Sequence, residues 1–193
     1  MKNLKLKVLA SMVAITCLVP AISASAAETS TSATKQFGSG LIKQQQNIET
    51  KSEWQQYKPA ATQKKDTIKQ NHATNQALRN DIKGKRTTAK NLIKDIKQSG
   101  KKLTSDDLSK IDAQLQTINS DVSSLAATKD STKTAFTTVK TDVKNKNFQD
   151  ALTQLDNVIN IQNTRTDGLK KLSADMDTLI NILQSATANS TTM

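Results

Sequence analysis

Apolar residues recur at alternating spacings of three and four through most of this chain. Leu108, Ile111, Leu115, Ile118, Val122 and Leu125 form one such run, and after a polar step the same register resumes at Phe136, Val139 and Val143. A narrow seven-residue repeat of this kind puts one apolar seam on a helix and calls for another helix as its partner, not a sheet. A later segment repeats the plan: Phe148, Ala151, Leu155 and Val158, a polar step, then Leu169, Leu172, Met176, Leu179 and Leu183. The expected fold is therefore all-α: an elongated, antiparallel, coiled-coil-like bundle of three helices.

The first 26 residues have the pattern of an export signal. Lys2, Lys5 and Lys7 form a basic start, Val8 to Val19 a short apolar run, and Ala24-Ser25-Ala26 a small-residue cleavage site, which makes Ala27 the expected mature N-terminus. The apolar run is too short to span a bilayer. Cys17 raises the rival of a lipidated cysteine, which is disfavoured because Thr16 stands where such signals want Gly or Ala. Cys17 is the single cysteine of the chain, so the expected mature protein needs no disulfide and has no thiol chemistry.

Three long helices follow, expected at about residues 59–98, 105–144 and 148–184. The first has the register Ile68, Asn71, Asn75, Leu78, Ile82, Lys85, Ala89, Leu92 and Ile96, with Pro59 suited to a first turn and Ser99-Gly100 to a stop. The second should begin at a capping box of Thr104 and Asp107, stapled by Leu103 and Leu108. Lys144 to Asn147 interrupts the seam, with Asn147 placed to cap the third helix and Asp150 in its first turn. Connections this short make sequential helices antiparallel. Residues 27–40 read as a flexible leader and 185–193 as a polar tail. Between leader and bundle, Leu41 to Tyr57 reads as a candidate short fourth helix at the open end of the rod.

Charge is distributed unevenly. The chain has 28 Lys and Arg against 17 Asp and Glu. Residues 58–102 alone carry 13 of the former against Asp66, Asp81 and Asp95, whereas 103–146 balance and 147–193 are slightly acidic. The expected polyanion-binding face is Lys83, Arg86, Lys90, Lys94, Lys97, Lys101 and Lys102. Lysines dominate and only three arginines are present, which suits diffuse attraction to a charged polymer more than forked recognition of one phosphate.

Antiparallel pairing brings three polar seam positions, Asn75, Lys129 and Gln162, to one level. This layer reads first as a device that fixes register, and second as a polar pocket for a small anionic ligand with His72 and Arg165 nearby. Other candidates are weak. His72 is the only histidine and has no cysteine near it. Asp106-Asp107 lacks the spacing of a calcium loop and suits a helix start. Gly84-Lys85 lacks a phosphate-loop glycine upstream. Trp54 and Tyr57, at i and i+3, suit a packed helix face better than a stacking platform. No nucleophile, acid–base pair, metal set or cofactor motif stands out, so no enzymatic activity is expected.

The segments "NHATNQALRNDIKGKR" at 71–86, "KKLTSDDLSKI" at 101–111 and "NVINIQNTRTDGLKKLSADMDTLINIL" at 157–183 resemble small, lysine-rich, exported helical proteins common in clostridia. That resemblance implies a helical bundle outside the membrane and no particular activity. Leu103 to Asp107 also resembles the LTxxQ motif of the Spy and CpxP envelope chaperones, with Asp107 in place of the motif's Gln and a single copy present.

The expected function is that of an exported, non-enzymatic binding or structural protein. Its basic helix would hold it to anionic cell-wall polymers or lipid headgroups, without a cofactor. The alternative is an ATP-independent chaperone for unfolded exported proteins, for which an exposed apolar patch would be the discriminating feature. Nucleic acid is not an expected partner of an exported chain. A homodimer would follow if a thin rod left part of its seam uncovered.

Overall fold

The computed structural model describes residues 40–100 and 102–189. The expected signal peptide with Cys17, the leader up to residue 39, Lys101 and residues 190–193 lie outside the described residues. Four helices follow in order: α1 (Gly40–Gln98), α2 (Ser105–Ala127), α3 (Ser131–Lys144) and α4 (Phe148–Asn189), with no strand among the described residues. α2 and α3 form one broken arm, so the bundle has three arms, as the heptads require.

α4 is the shared helix. It packs along α1 on one side and along α2 and α3 on another, while α1 and the α2–α3 arm meet mainly through side chains in a common core. α1 and α4 run parallel in strict register. Lys64 pairs with Asp156, Asn71 with Asn163, Asp81 with Ser173 and Lys85 with Asp177, each across 92 residues. The α2–α3 arm runs antiparallel to both. Ile82, Ala89, Ile96, Ile111, Leu115, Ile118, Leu172, Met176, Leu179 and Leu183 close the main core, and Ile68, Ala135 and Val158 a smaller one near the other end.

Several boundaries differ from expectation, each for a local reason. α1 does not begin near Pro59; it runs through Pro59 without a separate fourth helix, and at 59 residues reaches about 88 Å. A proline inside a helix costs one backbone bond and a clash with the carbonyl four residues back. Trp54 and Tyr57 hold the turn ahead of it by packing their rings on Phe148 at 5.2 and 5.9 Å. These two aromatics therefore form a packed face. At the other end α4 continues to Asn189, replacing the start of the expected tail. Ala186, fully buried, takes the seam position that follows Leu183.

The single helix expected over 105–144 is broken at 128–130. The Thr128 N–H reaches back to the Leu125 carbonyl and the Lys129 N–H to the Ala126 carbonyl, tightening the last turn of α2. The Thr128 hydroxyl also donates to the Leu125 carbonyl at 2.9 Å, competing with the helix backbone. Leu125 itself is seated over Gly168, where an added Cβ would come within 2.9 Å of its Cδ2. The break changes which face of the arm is covered: Ala135 becomes the deepest residue of α3, and Val143, expected in the seam, is 42% exposed.

The start of α2 is as expected. The Thr104 hydroxyl accepts from the Asp107 N–H at 3.0 Å, and the Asp107 carboxylate accepts from the Thr104 N–H at 3.3 Å. Gly100, at φ 66°, follows the end of α1. After α3 the Asn147 N–H bonds to the Asp142 carbonyl and the Lys146 N–H to the Val143 carbonyl, the two bonds of a Schellman turn. The residue at its left-handed position is Lys146, at φ 65°, where glycine fits without strain. Lys146→Gly should stabilise the fold by roughly 0.5–1 kcal/mol, the relief of strain less the entropy glycine adds to the unfolded chain. A lower denaturant midpoint for this variant would contradict that assignment.

Candidate functional site

The basic residues of α1 divide into two sets according to the flank they occupy. On the flank turned to α4, lysines are tied down. Lys64 pairs with Asp156. The Lys85 ammonium donates to Ser173 Oγ at 2.6 Å and Asp177 Oδ2 at 2.6 Å, and lies 3.1 Å from Asp81 Oδ2. Burial disfavours the Lys85 charge, but the bonds to Asp177 and Asp81 outweigh it and hold its pKa above the usual lysine value. The Ser173 hydroxyl, followed by Lys85, holds the Asp81 carboxyl below its ordinary range. This network staples α1 to α4 in register, and Lys85 next to Gly84 has no phosphate-loop role.

The expected polyanion face lies away from this staple. Lys83, Lys90, Lys94, Lys97 and Lys102 are exposed and Arg86 is half-buried. None of the six makes an ion pair among the described residues, whereas Lys64, Lys69 and Lys85 on the same helix do. Lys83 to Lys97 spans about 21 Å of helix, and Lys83, Arg86, Lys90, Lys94 and Lys97 fall in roughly one quarter of the helix circumference at 100° per residue, with Lys85 outside it. The structure thus collects them on one face, with Lys102 at the adjoining turn.

The polar layer exists, with a changed membership. Asn75 and Gln162 are 3% and 7% exposed. The Asn75 amide donates to the Gln162 carbonyl at 3.3 Å, and the Thr166 hydroxyl reaches both Asn75 Oδ1 and the Gln162 carbonyl at 2.9 Å. Lys129 is not part of it: the break at 128–130 turns it out to solvent. Arg165 works alongside the layer, donating to the Leu125 carbonyl at 3.2 Å and to Thr128 Oγ1 at 2.7 Å, and so caps the end of α2 from α4. Burial first, and then the Arg79 guanidinium, push its pKa below the usual arginine value. His72 is exposed. Fixing register and terminating α2 account for these contacts.

A second charged cluster ties α2 to α4 and was not read from the sequence. Lys171 donates to Asp121 Oδ1 at 2.6 Å and Asp175 Oδ2 at 3.0 Å, and Gln114 donates to Asp175 Oδ1 at 3.2 Å. Burial pushes the Asp121 pKa up, and bonding of its protonated form to Asp175 adds to this against the pull of Lys171. Burial would also raise Asp175, but hydrogen bonds from Asp121, Lys171 and Gln114 leave it lowered. A carboxyl raised on folding stabilises the fold below its unfolded pKa, and that contribution is lost as pH rises through the folded pKa. Asp121→Asn, neutral at every pH, should therefore melt above the parent protein at pH 7, with the gain shrinking below the ordinary carboxylate range. A lower melting temperature at pH 7 would contradict the assignment. The signal was available in retrospect: Asp121 and Lys171 are opposed once α2 and α4 pair antiparallel.

Among the described residues no three His, Cys, Asp or Glu gather as a metal site, and no helix is long and apolar enough to cross a membrane. The class defined by fold and site is an elongated α-helical bundle whose first helix carries a cationic face without ion pairs among the described residues. No family model, no curated protein and no solved structure matches the chain.

Proposed function

We propose that this chain is an exported, non-enzymatic binding protein of the cell envelope, one of the lysine-rich helical type that its segments resemble. The basic face of α1 holds it to anionic wall polymers or lipid headgroups. The observation that carries this reading is the contrast within one helix: lysines facing α4 are neutralised by aspartates, while Lys83, Lys90, Lys94 and Lys97 are exposed and have no acidic partner among the described residues. Concentrating like charge on one helix costs stability through self-repulsion, and a polyanionic partner removes that cost.

The chaperone alternative draws no support from the bundle. Among the residues whose exposure is described, Val143 is the one exposed large apolar side chain, so that part of the bundle presents no apolar patch to unfolded chains.

The test is co-sedimentation of residues 27–193 with purified cell walls before and after chemical removal of their phosphate-bearing polymers. Binding to intact walls and its loss from stripped walls supports the proposal. Equal binding to both would contradict wall polymers as the partner, and the same assay on anionic lipid vesicles then tests the headgroup alternative.

A further inference from the structure

We infer that the basic face is one end of a continuous cationic track along most of α1, fitted to a single linear polyanion lying parallel to the helix. This inference rests on the polyanion reading above and specifies the partner. The seam of α1 is set by Ile68, Asn75, Ile82, Ala89 and Ile96, all buried and seven residues apart. Three residues before each of the first four stands a basic side chain or the lone histidine: Lys65, His72, Arg79 and Arg86. Lys51 and Lys58 extend the row upstream.

A seven-residue spacing keeps every member at the same offset from the seam, so the row runs straight along the bundle instead of winding around it. A second row at the adjacent heptad position on the same flank carries Lys69, Gln76, Lys83, Lys90 and Lys97, basic at all but one step. The opposite flank is the one that carries Lys64, Asp81 and Lys85 to α4.

From Lys51 to Lys97 the track is about 70 Å long. Lys51, Lys58, Lys65, His72, Lys83 and Lys90 are exposed, and Arg79 and Arg86 half-buried. Lys69 alone in the two rows makes an ion pair among the described residues, a solvent-exposed one with Asp66. The row ends where it meets the core: the next position after Arg86 is Ile93, which is 8% exposed and packed inside the bundle.

Two features favour a linear polymer over a membrane surface. A helix that lies in a lipid interface brings an apolar face to insert, and the apolar face of α1 is consumed by the seam. The charges also stand in a narrow file along the axis, so one extended chain of negative groups can meet them in turn, with each contact raising the effective concentration for the next.

The experiment measures binding of residues 27–193 to inorganic tripolyphosphate, far shorter than the track, to long-chain polyphosphate, and to phosphatidylglycerol vesicles. The wild type is compared with a Lys51→Gln, Lys58→Gln, Lys65→Gln variant, whose three sites are exposed and outside the face that the proposed function uses. The expected result is tighter binding of the long chain per phosphate than of tripolyphosphate. The variant should lose about tenfold toward the long chain, with a salt slope smaller by about 2, and should bind tripolyphosphate as before. Unchanged long-chain binding by the variant, or no dependence on chain length, would overturn the track while leaving the local face of residues 83–97 standing. Tighter binding to vesicles than to the long chain would overturn the choice of partner. Absence of binding to every polyanion at low salt would overturn the proposed function itself.

Discussion

Leu172→Asp is expected to abolish the cooperative unfolding transition and most of the helical circular dichroism at 25 °C. Leu172 is 4% exposed in the main core, on the helix that α1 and the α2–α3 arm both pack against. Removing a buried leucine costs about 2–5 kcal/mol through lost transfer energy and the cavity left behind. A carboxylate placed there adds a desolvation penalty, because no basic residue is among the buried ones described. The sum approaches or exceeds the roughly 5–15 kcal/mol that stabilises a typical domain. Thr178→Asp, at an exposed position of the same helix, should shift stability by no more than about 0.5 kcal/mol. Similar melting curves for the two variants would mean that the seam has been placed on the wrong face of α4.

The second large effect concerns binding. Reversing Lys83, Arg86, Lys90, Lys94 and Lys97 to Glu should eliminate retention on anionic polymers while leaving the helical signal near that of the parent. The four lysines are exposed and none of the five residues joins an ion pair among the described residues, so no salt bridge is lost and only half-buried Arg86 gives up packing. Each lysine near an anionic surface contributes about 1 kcal/mol. Removing five such attractions weakens binding more than about a thousandfold, and the reversed sign adds repulsion. Retained binding with an intact fold would sink the electrostatic account. A collapsed helical signal would instead mean that these residues support the bundle.

The fold was largely legible because heptads report directly on which residues face one another. The capping box of Thr104 and Asp107 and the stop at Gly100 are local chemistry, readable within four residues, and they stand as expected. The level shared by Asn75 and Gln162 also followed from counting outward from the turns. Lys129 was misplaced because the same counting assumes an unbroken helix. The tightened turn at 128–130 depends on Arg165 arriving from a distant part of the chain to hold the Leu125 carbonyl. Val143 was lost to the same break. The start of α1 was misjudged because Pro59 is a strong local stop signal, and the Trp54 and Tyr57 contacts with Phe148 that oppose it are tertiary.

For the candidate site the reverse holds. Composition revealed the excess of basic residues in the first helix, but not which of them are available. Lys64 and Lys85 stand one and two positions from Lys65 and Lys83 in sequence, and differ from them in space by the presence of an aspartate on α4. The division follows only once α1 and α4 are known to run parallel in a fixed register. The same register explains why aspartates of α4 neutralise one flank of α1 and leave the other charged.

The proposed function rests on the cationic flank of α1, which has no ion pair to α4 among the described residues. The most direct measurement is the affinity of residues 27–193 for purified cell walls across a salt series. Tight binding is expected at low salt, with a logarithm of affinity that falls linearly and steeply with the logarithm of salt concentration as counterions are released. Affinity independent of salt, or no binding at the lowest salt, would contradict it and reduce the basic flank to a solvated surface.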